Sequence, residues 1–179
     1  MLEDGSVYEG TARGDFKETA CEIVFNTSMT GYVEILTDPS YAGQGVVMTY
    51  PMIGNYGISR EDFESERLQP SAFIVHELSS DPSNFRCTDT IENLLKEYNI
   101  PCISGVDTRA VVKKLRESGT MRGVLTSDIS DRERLMDVIK SFRQIDLVGS
   151  VTAKQTKVYG EENTGAEIAL MDFLSLIHI

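Results

Sequence analysis

The chain has 179 residues, of which 41% are hydrophobic and 25% charged, the profile of a globular protein long enough for one domain or one domain plus a fragment. With 17 basic against 28 acidic residues the formal net charge is −11, which argues against a nucleic-acid partner and against attraction to anionic lipid. No apolar run approaches the ~20 residues of a membrane helix and no basic-then-apolar leader opens the chain, so a soluble, cytoplasmic protein without a membrane partner is expected.

Leu2-Glu3-Asp4-Gly5 runs into Ser6-Val7-Tyr8 and reads as the end of one strand, an Asp-Gly turn and the start of the next. Glu22-Ile23-Val24-Phe25 is a compact strand. Asn26-Thr27-Ser28 has the form of a glycosylation sequon, read as coincidence because no secretory signal accompanies it. From 26 to 57 the composition changes: four tyrosines (Tyr32, Tyr41, Tyr50, Tyr56), five glycines and two prolines interrupt two apolar runs. The β-branched content predicts strands at 33–36 and 46–50. The tyrosines and glycines suit either loops shaped for a ligand or the turns of an ordinary β-meander. Between the two strands, Thr37-Asp38-Pro39-Ser40-Tyr41 is a turn or the cap of a short helical turn, with Asp and Ser able to bond nearby backbone N–H groups.

The loop 59–70 carries Glu61, Asp62, Glu64 and Glu66; lacking an apolar frame, these are expected to be solvated rather than a catalytic carboxylate pair. A short buried strand at 72–75 leads into His76, expected to be a hydrogen-bonded structural residue. From Thr88 the period becomes helical, with Ile91, Leu94, Leu95 and Tyr98 on one stripe, Thr88 or Asp89 as cap, and Asn99 and Pro101 as the stop. A strand at 102–106 follows. Asp107-Thr108-Arg109 then open a second helix that turns Val111, Val112 and Leu115 inward and ends at Gly119. After a strand at 123–125, the capping-box pattern Ser130-x-x-Glu133 heads a third helix through Phe142 with Leu135, Val138 and Ile139 inward. A β-rich start followed by α/β alternation predicts a layered α/β or α+β domain.

Much chemistry is absent from this pattern. Cys21, Cys87 and Cys102 are too widely spaced for a disulfide framework or a zinc site and are expected to stay free thiols. Gly43-Gln44-Gly45 begins a GxG, but Met48 stands where a third glycine would be, and no phosphate loop, HExxH or GxSxG is present. None of the cysteines sits in a Gly-x-Cys-x-Gly elbow, and the histidines are only His76 and His178. No catalytic residue and no metal ligand is therefore assigned to this chain.

Several segments resemble one family. These are Leu2-Glu3-Asp4-Gly5, the run from Glu22-Ile23-Val24-Phe25-Asn26-Thr27-Ser28-Met29-Thr30-Gly31-Tyr32 through Glu34-Ile35-Leu36-Thr37-Asp38-Pro39-Ser40-Tyr41, and Thr49-Tyr50-Pro51 with Ile53-Gly54-Asn55-Tyr56-Gly57. Ser83-Asn84-Phe85-Arg86, Asn99-Ile100-Pro101 and Asp107-Thr108-Arg109 agree as well. Together they resemble the amino-terminal domain of the carbamoyl phosphate synthetase small subunit. The resemblance implies an α/β fold of three layers, a β/β/α swivelling domain, over 1–150. A linker would follow over 151–166, then at 167–173 the first strand of a truncated class I glutamine amidotransferase domain, with 174–179 a non-native tail. It implies that the catalytic cysteine, histidine and glutamate lie in that missing domain, so that the present chain alone is inactive. The partners implied are L-glutamine and a large subunit that uses ATP and magnesium to make carbamoyl phosphate for pyrimidine and arginine biosynthesis. One binding residue carries over: Ser40 matches the family serine that contacts bound glutamine, against the plainer reading that it only caps the following turn. A docking-only module, or a domain of an ammonia-dependent relative without glutaminase activity, remains the alternative.

Overall fold

In the computed structural model, which describes residues 1–14, 16–143, 146–158, 165 and 168–171, the chain order is β1 (Thr11–Arg13), β2 (Thr19–Asn26), α1 (Tyr32–Thr37), a 3₁₀ turn at Pro39–Tyr41, β3 (Gln44–Met48) and β4 (Met52–Ile53). It continues with a 3₁₀ turn at Arg60–Asp62, β5 (Ala72–Ile74), β6 (Glu77–Leu78), α2 (Ile91–Glu97), β7 (Cys102–Ser104), α3 (Thr108–Ser118), β8 (Met121–Leu125), α4 (Arg132–Ser141) and α5 (Leu147–Val151). Six strands form one sheet in the order β1-β7-β5-β3-β2-β8, and β4 pairs β6 in a second. The central strands β7, β5, β3 and β2 are mutually parallel, whereas the edges β1 and β8 run antiparallel to their neighbours. The fold is mixed α/β.

Parallel strands covered on both faces need apolar residues at nearly every position. Gly45, Val46, Val47 and Met48 of β3 and all of β5 are accordingly buried. Period-two alternation divides them between two cores. Val46, Met48, Phe73 and Val75 face α1 and α2, meeting Tyr32, Val33, Leu36, Ile91, Leu94 and Leu95. Val47, Ala72 and Ile74 face α3, meeting Val111, Val112 and Leu115. Cys21 and Cys102 are buried in these cores, and burial pushes both thiols up to about 12; all three cysteines are free.

Several expectations are corrected here. Residues 33–36 are helix α1, not a strand, because the chain before them turns at Gly31 and partners far along the sequence hold the first turn. The Asp-Gly turn forms, with Leu2 N–H donating to Ser6 O, but no hairpin follows it. Leu2 bridges to Gly123 at one edge of the sheet, and the next strand, β1, pairs with β7 at the opposite edge. Thr90, rather than Thr88 or Asp89, caps α2, its hydroxyl accepting from Asn93 N–H. Asp131, rather than Ser130, caps α4: its carboxylate accepts from Arg134 N–H, while Ser130 N–H is drawn back to Asp128. Val138 is only half-buried, leaving Leu135 and Ile139 as the buried stripe. Of the segment 167–173, residues 168–171 are exposed and outside any strand; 167, 172 and 173, together with 174–179, lie outside the described residues.

Candidate functional site

The corner that carries Ser40 is built from the entry to α1 onward. Gly31 sits at φ +80°, a left-handed conformation that a side chain would strain, and it contributes no side-chain cap to the helix. The cap comes from elsewhere. The Tyr56 hydroxyl accepts from Gly31 N–H at 2.6 Å and from Tyr32 N–H at 3.3 Å. In return the Tyr32 hydroxyl donates to Gly57 O at 2.9 Å and accepts from Tyr56 N–H at 3.1 Å. The two rings stack with centroids 4.1 Å apart and planes 18° from parallel. Burial raises the pKa of both phenols, so both stay neutral donors and acceptors. Tyr32 is thus a core residue rather than a ligand-facing one, and the pair fastens α1 to the turn before Ile58.

At the other end of α1, Thr37 is a buried hub. Its hydroxyl bonds Val33 O at 2.9 Å and accepts from Glu64 N–H at 2.9 Å, while its carbonyl accepts from the Ser65 hydroxyl at 2.5 Å. Asp38 follows in extended conformation and its carboxylate accepts from Ser40 N–H at 2.8 Å. Pro39, with φ preset for the first position of a helical turn, is buried. Ser40 is exposed, with its backbone N–H engaged by Asp38. Tyr41 packs against the core, and its hydroxyl accepts from Asn26 Nδ2 at 2.9 Å at the end of β2. Asn26 Oδ1 in turn accepts from Ser28 N–H at 2.7 Å, so the sequon asparagine spends both amide atoms on local structure. The expected cap geometry at Asp38 is present. Ser40 is the one residue of the corner left exposed to solvent.

The remaining candidates play structural parts. Nδ1 of His76 lies 3.0 Å from Val106 O and donates to it, as a structural histidine does. Glu61 and Asp62 both accept from Arg86 Nη2, at 3.1 and 2.7 Å, which ties the 59–70 loop to the 83–86 segment. Among the described residues, no group of three or more His, Cys, Asp or Glu is arranged to hold a metal ion, and no helix is long and apolar enough to cross a membrane. Sequence reasoning missed the holding roles of Thr37 and Tyr56, which act through contacts 24 to 28 positions apart along the chain. The missing cap residue ahead of α1 was the only local hint.

Residues 1–125 match the family described as carbamoyl-phosphate synthase small chain, CPSase domain. A protein from Clostridium perfringens named carbamoyl phosphate synthase small chain is 47% identical over 174 residues, 97% of this chain and 49% of its own length. One of the same name from Archaeoglobus fulgidus is 48% identical over 176 residues, 96% of this chain and 48% of its own. A third, from Caldanaerobacter subterraneus, is 47% identical over 171 residues, with 96% and 46% coverage. The chain spans about half the length of the curated relatives it matches.

Proposed function

Since the chain belongs to the carbamoyl-phosphate synthase small-chain family, we propose that it is the non-catalytic domain of a glutamine-hydrolysing small chain and forms one wall of the glutamine pocket. The opposite wall would be a class I amidotransferase domain holding the cysteine, histidine and glutamate. Its thiolate would attack the glutamine side-chain amide to give a thioester and ammonia. Ammonia would pass through an enclosed route to a large chain, where ATP and magnesium drive its union with bicarbonate. Enclosure keeps the nitrogen unprotonated and nucleophilic, an instance of excluding water from a reactive intermediate. The present chain would have no glutaminase activity alone. In this reading residues 1–150 form a swivelling β/β/α domain, 151–166 a linker and 167–173 the entry to the amidotransferase domain. The product would serve pyrimidine and arginine synthesis.

The observation that carries the reading is Ser40: an exposed serine on a corner whose other polar groups are already engaged. Pinned in this way, it can bond the charged end of an amino acid with little ordering cost. In the full-length small chain assembled with its large chain, Ser40→Ala is expected to raise the KM for glutamine about five- to thirtyfold, equivalent to ~1–2 kcal/mol. Synthesis from free ammonia should be unaffected. An unchanged KM would remove Ser40 from the pocket and favour a docking-only role.

A further inference from the structure

Up to residue 143, the exposed large apolar side chains among the described residues are Met29 at 66%, Met52 at 41% and Phe85 at 97%. Their placement is not scattered. Met29 lies on the chain leaving β2, Met52 on the chain leaving β3, and Phe85 on the chain leaving β5 through β6. Because β2, β3 and β5 are parallel, all three segments depart from the same, carboxyl rim of the sheet. Hydrogen bonds tie them together: Gly31 N–H donates to the Tyr56 hydroxyl, Ser79 N–H to Ile53 O and Ser83 N–H to Asn55 O. Ser40, by contrast, precedes β3.

Phe85 is held out by a built turn. Asn84 Oδ1 accepts from Arg86 N–H at 2.9 Å, Asn84 O accepts from Cys87 N–H at 3.1 Å, and the Arg86 guanidinium is clamped by Asp62 and Glu61. A ring so exposed gains nothing for the fold from its own burial, so the ordered turn beneath it serves to present it. Pre-ordered aromatic side chains are the usual anchors of protein interfaces, because little freedom is lost when they enter a pocket. The surroundings specify the pocket. Glu61 and Asp62 share the single charge of Arg86, and Glu77 and Asp81 are exposed near it in sequence, so the rim is net negative.

We propose that Phe85, on the same rim of the sheet as Met29 and Met52, is the anchor by which this domain docks into an apolar pocket ringed by lysine or arginine on a partner protein. Resting on the functional reading above, that partner is the large chain. The test is a titration of full-length small chain against large chain, comparing the unaltered protein with Phe85→Ala and Phe85→Met. Phe85→Ala is expected to raise Kd by about tenfold or more, with Phe85→Met between the two. The melting temperature should not move, since nothing packs on the ring, and Kd should rise with added salt. A wild-type Kd in Phe85→Ala overturns the anchor while leaving the glutamine reading intact, as the KM of Ser40→Ala would show separately. Failure of the unaltered chains to associate overturns both. Self-association of the small chain that is lost in Phe85→Ala would assign the rim to a second copy and overturn the large chain as occupant.

Discussion

Two tyrosines hold the entry to α1, and each is both ring and hydrogen-bonding group for the other. Replacing Tyr32 by Phe keeps the stacked ring but leaves Gly57 O and Tyr56 N–H without their partner in a buried place. Loss of stability by ~1–3 kcal/mol is expected, the cost of unsatisfied buried polar groups, read as a lower urea midpoint with an unchanged slope. The same change should raise the KM for glutamine in the full-length protein, because α1 leads directly into the Asp38-Pro39-Ser40 corner. At this scale the sequence was informative about chemistry and poor about placement. Asp38 could be read as a cap from its neighbours alone. The Tyr32 ring could not be assigned to the core, since its partner lies 24 positions away.

Elements differ in how far their causes lie along the chain. Helices α2, α3 and α4 were legible because each carries its own apolar stripe, and a capping residue lies within one or two positions of where it was expected. Helix α1 was not. Its six residues include Val33 and Ile35, which favour strands, and its cap is borrowed from Tyr56. The turn that supplies Tyr56 ends at Gly57, with φ +70° and Cys87 packed where a Cβ would sit. Gly57→Ala is therefore expected to destabilise the protein by at least ~1–2 kcal/mol from the backbone alone. Adding Cys87→Ala should recover the part of the steric cost that comes from Cys87 Sγ, leaving the backbone part and the close Asp89 carbonyl, so a double-mutant cycle by chemical denaturation isolates the sulfur's share.

Across the whole molecule, ion pairs close the ends of the sheet. Arg134 on α4 grips Glu18, just before β2, through two bonds of 2.7 and 2.9 Å, and the Thr126 hydroxyl adds a third at 2.9 Å. Hydrogen bonds from Arg134 and then Thr126 hold the Glu18 carboxyl down to about 2, against 4.5 for a free glutamate. Because the folded value is the lower one, this contribution is present above the unfolded pKa and is lost as pH falls through the folded one. Exposure to solvent limits it to ~0.5–1 kcal/mol. The stability difference between the unaltered protein and Glu18→Gln should accordingly be full near pH 6 and vanish between about pH 4.5 and about 2 in urea titrations. By itself the sequence determined the strand and helix segments that carry their own periodicity, the α/β class, the family and the single serine worth testing, because those depend on neighbours a few residues apart. Only the tertiary structure decided that 33–36 coils into a helix, that the first strand pairs across the sheet from the first turn, and that Met29, Met52 and Phe85 share one rim. Each of these depends on contacts between distant residues, whose energy appears only when the chain has closed upon itself.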